Sequence, residues 1–188
     1  VPEQSGFYQG FFIDSTTEGL DLGNLRADDQ GAVSLVLDAE GEGYRFLDIP
    51  YQPATLDREE HAISVKVTSE SAAEAKDTIT MRGMSAAHLR VLLRNEQVAK
   101  KSIEGYGAYL FPGSTLVTTA AKNHEDIVAP LELALTLDVS PSLTRGGSRV
   151  RLKVPAQMGF MRTGALVARK TDIVLGVLHA YLVGAAGD

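Results

Sequence analysis

Alternation of apolar and polar positions dominates this chain. Successive side chains of a strand point to opposite faces, so alternation marks a strand with one buried side. Gly6–Asp14 (GFYQGFFID), Ala32–Asp38 (AVSLVLD), Tyr44–Tyr51 (YRFLDIPY), Ala62–Ser69 (AISVKVTS), Thr78–Arg82 (TITMR) and Ser114–Thr119 (STLVTT) are read as strands on this basis. In Ala62–Ser69, Ile63, Val65 and Val67 alternate with Ser64, Lys66 and Thr68. The clearest case is Leu131–Ser140, where Leu131, Leu133, Leu135, Leu137 and Val139 share one side.

The turn-rich SPSLTRGGS follows, and Arg149–Val154 (RVRLKV) alternates again. A register pairing Val139 with Val150 sets Leu137 beside Leu152 and Asp138 beside Arg151. It satisfies core and charge together, so a hairpin between these two segments is expected.

Helical spacing is rarer. Ser85–Lys101 (SAAHLRVLLRNEQVAKK) carries Leu89, Leu92 and Leu93 on one helical face, a candidate cap at Ser85 and a basic end at Lys100 and Lys101, with a strand over part of it as the alternative because Leu89, Val91 and Leu93 also alternate. Ser71–Lys76 is read as one further helical turn, and Asn123 as the cap of another. Ala165–Val183 is apolar on both faces after Thr171; it is read as a strand covered on two sides or a core helix capped at Thr171, and Ile173, Val174 and Val177 favour the strand. About ten short strands with glycine-rich turns and one or two short helices predict a single mainly β domain over residues 1–188. Its expected form is an antiparallel β-sandwich or barrel, of which a jelly roll is one version. No repeat, low-complexity tract or linker divides the chain.

Between two of these strands lies DAEGEG, residues 38–43, with acids at every second position. An EF-hand loop needs a bidentate acid at its twelfth position, which here is Ile49, and helices at its flanks, which here are strands. The segment is therefore read as the acidic tip of a hairpin, with Gly41 and Gly43 supplying the turn. The loop DLGNLRADDQG holds Asp21, Asn24, Asp28 and Asp29 at a spacing that matches no ligand pattern.

Chemistry elsewhere is sparse. The histidines, His61, His88, His124 and His179, form no HxH or HExxH pair. His61 follows DREE and is read as part of a surface turn; His179 is read as a core residue. No GxSxG elbow and no glycine-rich phosphate loop occurs, so no catalytic residue is assigned and no metal or other cofactor is expected. With no cysteine, thiolate catalysis and disulfides are excluded. The first residues lack the basic and apolar regions of a signal peptide, and the longest apolar run, Ile173–Val183, is too short to span a bilayer.

Charge changes the picture most. Residues 1–84 hold 16 acidic and 6 basic side chains, a net of −10, whereas residues 85–188 hold 8 and 12, a net of +4. Glu40, Glu42 and Asp48 mark an acidic surface, and Arg149, Arg151 and Lys153 a basic one. Unlike faces of this kind favour contacts between neighbouring copies. The expectation is a self-assembling structural protein, such as a virus capsid or virion-appendage subunit, found in a virion. It would form a homo-oligomer or larger assembly, alone or with other structural proteins. Nucleic acid is not an expected partner, because the chain is acidic overall and has no basic arm. Two alternatives remain: a carbohydrate-binding β-sandwich using Tyr44, Tyr51, Tyr106 and Tyr109, and a hydrolase whose site is assembled from distant acids and histidines.

Overall fold

The computed structural model describes residues 12–37, 43–69, 71–146, 149–152 and 180–184. Among the described residues the chain is mainly β, with antiparallel sheets and two α-helices, as its pattern predicts. The strands are β1 (Val33–Leu37), β2 (Tyr44–Asp48), β3 (Glu59–Ser69), β4 (Ala72–Met81), β5 (Thr115–Lys122), β6 (Leu131–Asp138), β7 (Leu143–Gly146), β8 (Arg149–Leu152) and β9 (Ala180–Gly184). The helices are α1 (Gly83–Leu93) and α2 (Glu96–Leu110).

The principal sheet has the order β5-β6-β4-β3-β9. Its pairings are antiparallel except β3 with β9, which is parallel. Alternation in β3, β4 and β6 places Ile63 and Val65, then Ala73, Ala75, Ile79 and Met81, then all four β6 leucines on one buried face. Leu89 of α1 and Ile103, Tyr106 and Leu110 of α2 complete this core. The opposite face carries Ala62, Ser64, Lys66, Thr78 and Ala134, all exposed. Helices thus cover one side of the sheet, and the other side carries exposed small and polar side chains.

Several local expectations are corrected. Leu131–Ser140 does not form a hairpin with Arg149–Val154. Both edges of β6 are occupied, by β4 and by β5. β8 instead pairs with β7, setting Leu152 across from Leu143 and Arg151 across from Thr144. Alternation shows which side of a strand is buried but not which strand lies beside it. Asp138, expected opposite Arg151, accepts hydrogen bonds from the Ser140 amide at 3.0 Å and its hydroxyl at 2.5 Å. Ser71–Lys76 is not helical: β4 begins at Ala72, and Ala73 and Ala75 are small residues of its buried face. Asn123 caps no helix; its φ of 60° belongs to a turn, where its side-chain Nδ2 donates to the Pro130 carbonyl.

The helix expected over Ser85–Lys101 is two helices. The first ends at Leu93 with Arg94 as its C-cap, and Asn95 caps the second, accepting from the Val98 amide at 3.1 Å. Ser85 is not the cap of α1; the helix starts at Gly83, and the Met84 amide donates to the Asp57 carboxylate at 3.2 Å. Gly83 has φ +63°, and a Cβ there would meet the Leu56 carbonyl oxygen at 2.7 Å, so glycine is required where the chain turns against this loop. Of the expected strand Gly6–Asp14, residues 12–14 are not strand and the rest lie outside the described residues. Of Ala165–Val183 the described part is β9.

Candidate functional site

The β1–β2 hairpin pairs Val33 with Asp48, Leu35 with Phe46 and Leu37 with Tyr44. This bears out the hairpin reading of the segments flanking DAEGEG. Its base is closed by the Gly31 amide donating to the Ile49 carbonyl and the Ile49 amide donating to the Ala32 carbonyl, each at 2.8 Å. Gln52 and Gln30 tie it to the preceding loop. The Leu25 amide donates to the Gln52 side chain at 2.8 Å, the Gln52 amide to that of Gln30 at 3.0 Å, and the Gln30 side chain to the Leu25 carbonyl at 3.1 Å.

One face of this ribbon is unusual. Val33, Leu35, Leu37, Tyr44 and Phe46 alternate onto it, and each is between 56% and 70% exposed. The Tyr44 and Phe46 rings meet edge to face at 6.0 Å. The other positions, Ser34, Val36, Arg45 and Leu47, are half-buried. Burial is thus inverted relative to an ordinary hairpin: the more apolar row is the more exposed one. Among the described residues the sheet is two-stranded, so its outer edges carry backbone groups without ladder partners. Single exposed leucines are ordinary, but a contiguous aromatic and aliphatic row marks a contact surface.

The residues expected at subunit contacts divide between two ribbons. Asp48 is exposed at the end of β2, beside this apolar row. Glu40 and Glu42 belong to the connection between β1 and β2 and lie outside the described residues. Arg149 and Arg151 are on β8, and Arg151 is exposed; Lys153 lies outside the described residues.

A second constellation is buried. His61 is not on a surface turn: it occupies the apolar side of β3, and its side chain is 7% exposed. Its Nε2 lies 2.8 Å from the Glu59 carboxylate and its Nδ1 3.0 Å from that of Asp77, a residue 1% exposed. The Tyr106 hydroxyl, reaching down from α2, lies 3.3 Å from the same Nδ1. Burial alone would lower the His61 pKa, but hydrogen bonds to Asp77 and Glu59 outweigh it and raise the value to about 9. Burial, reinforced by the charges of Asp77 and Glu59, pushes the Tyr106 phenol up. His61 is therefore an imidazolium at neutral pH, between two carboxylates. The alternation of Glu59, His61, Ile63 and Val65 carries the signal for this placement, but the charged run before it points the other way.

A third feature is a cleft of about 470 Å³ between the end of α1, Gly19 and the loop before β6. Arg90, 6% exposed, stands in its wall and donates to the carbonyls of Gly19 at 3.3 Å, Asp126 at 2.9 Å and Ala129 at 2.7 Å. Burial lowers its pKa, and the guanidinium stays charged. Arg94 pairs with Glu18 at the rim. His124 and Glu125 also line the cleft, but at 3.9 Å they do not hydrogen-bond. His88 is exposed on α1, and His179 lies outside the described residues. Tyr44, Tyr51 and Tyr109 are exposed, but Tyr106 is in the core.

Among the described residues no cluster of three or more His, Asp or Glu side chains is arranged to hold a metal ion. Among them, too, no helix is long and apolar enough to cross a membrane. Comparison with protein-family models, with curated proteins and with solved structures finds no match to this chain.

Proposed function

We propose that this protein works by association: it is a self-assembling structural subunit whose β1–β2 ribbon is a contact surface. The observation that supports this reading is the exposed row Val33, Leu35, Leu37, Tyr44 and Phe46. An isolated two-stranded ribbon is marginal in water, and its stability rises when another surface covers its apolar side. The rim adds direction. Asp48, with Glu40 and Glu42 in the adjoining connection, makes the ribbon acidic, while Arg149, Arg151 and Lys153 make the region of β8 basic. Contacts between unlike faces of successive copies would be salt-sensitive.

Light scattering on the purified chain at low and high salt tests the proposal. A discrete oligomer that dissociates as salt rises supports it. A 20.1 kDa monomer under all conditions overturns it.

A further inference from the structure

We infer that self-association, on which this rests, uses a second contact: the free edge of β5 pairs antiparallel with β5 of another copy about a two-fold axis, joining two five-stranded sheets into one. The edge itself carries this. β5 ends the order β5-β6-β4-β3-β9, and no described strand lies beyond it. Its sequence, TLVTTAAK, holds no proline, glycine or acid. Its one charge, Lys122, sits at the end and pairs with Glu132 of β6 at 3.2 Å. An edge meant to face water is ordinarily guarded by a charge or a proline in mid-strand. The bulge between Leu116 and Thr118 twists the start of β5 away, so the regular ladder open to a partner is Thr118–Lys122.

The layer over the sheet indicates what the partner must bring. On the helix-covered face Leu116, Thr119 and Ala121 stand across from Leu137, Leu135 and Leu133 of β6. Those leucines are at most 2% exposed, yet Thr119 is exposed and Leu116 and Ala121 are only half-buried. The helical cover thins beyond β6 and leaves a strip of β5 open. A lone foreign strand would extend the sheet without walling this strip. A second copy does both. A two-fold axis normal to the sheet keeps its helices on the same face, so α2 of each copy flanks the joined β5 strands.

Register follows from strand geometry. Paired residues of adjacent strands point to the same face, and neighbours along one strand to opposite faces. In a two-fold pair one residue must therefore face its own copy. Lys122 against Lys122 would oppose like charges, which leaves Thr118, Thr119, Ala120 or Ala121 at the axis. With the axis at any of these, Lys122 faces an uncharged residue.

The test uses the absence of cysteine from the chain. Thr118→Cys, Thr119→Cys, Ala120→Cys and Ala121→Cys each introduce a single thiol. Directly opposed Cα atoms in an antiparallel pair are about 4.5–5.5 Å apart, within reach of a disulfide. One residue off the axis the two copies of a position are about 8 Å apart or more, which is out of reach. Under mild oxidation one of the four variants should form a disulfide-linked dimer at least about tenfold faster than the others, with the circular dichroism of all four reduced proteins unchanged. The same pattern should persist when Leu35→Thr and Phe46→Thr are added, because the β1–β2 ribbon is not part of this contact. Similar rates at all four positions, no linked dimer at any of them, or a pattern lost with the ribbon substitutions overturns the inference. A salt-sensitive oligomer of the unmodified chain together with no link through β5 removes this contact and leaves the ribbon reading standing.

Discussion

Leu35 of β1 lies directly across the ladder from Phe46 of β2, and both side chains are more than half exposed. Such a pair contributes little to the stability of a free subunit, because water still reaches it. Replacing both with threonine keeps strand propensity and should change folding stability by only about 0.5 kcal/mol. Self-association should weaken roughly a hundredfold, since burying either side chain contributes about 1.5–3 kcal/mol. Sedimentation equilibrium paired with urea denaturation separates the two effects. Loss of folding, or unchanged association, would count against the ribbon as the contact.

The rim charges can be tested independently. Arg149→Glu with Arg151→Glu should weaken association at low salt and leave the denaturation midpoint close to wild type. At high salt the variant and wild type should converge, because screening removes the difference. Light scattering at two ionic strengths reads this. Wild-type association in the double variant at low salt would remove β8 from the contact while leaving the apolar face untouched.

Two glycines of α2 should respond in opposite directions to the same change. Gly105 is exposed, and a Cβ there meets nothing within 4 Å. Gly105→Ala should stabilise by about 0.5–1 kcal/mol. At Gly107 a Cβ would come 2.7 Å from Leu137 Cδ2, in the core between helix and sheet. Gly107→Ala should destabilise by about 1–2 kcal/mol, because overpacking exceeds the helix-propensity gain. Thermal melts of the two variants check both signs.

Arg90 joins three segments through three carbonyls. Arg90→Met keeps the length of the stem and removes all three donors. It should cost about 2–4 kcal/mol, because hydrogen bonds from a charged donor are lost and buried acceptors lose their partners. The loss should be concentrated locally, with faster amide exchange in residues 15–25 and 123–130 and little change in β4 or β6. A uniform loss of protection would show that Arg90 supports the whole core rather than these loops.

Legibility in the sequence followed the range of the forces involved. Ile63, Val65 and Val67 were readable as one face of β3, because alternation is local and burial enforces it. So were both strands of the β1–β2 hairpin. The partner of β6 was not readable, since β4, β5 and β8 all offer alternating apolar faces and only tertiary packing selects among them. Asp138 beside Arg151 looked like confirmation, but Ser140, two residues away, satisfies that carboxylate instead. The break at Asn95 could have been found from its capping chemistry, but continuous helical spacing on both sides concealed it. His61 shows a competition between two local signals. Its place in the strand alternation is correct, and the acidic run before it is misleading only because Asp77, which completes the cluster, lies sixteen residues away.

Strand β9 lies parallel to β3, with Ala180 level with Ile63. On a ribosome these partners emerge on the order of a hundred residues apart, so a growing chain must hold β3 with one edge open for roughly ten seconds. The β3–β4 hairpin, closed by neighbours in sequence, can form early, and β6 and β5 can add to it in turn. The outer edge of β3 is left as a template that any extended segment could occupy. The alternation of Ser64, Lys66 and Thr68 along that strand, with a lysine at its centre, suits this interval: it keeps the waiting edge soluble and discourages premature pairing.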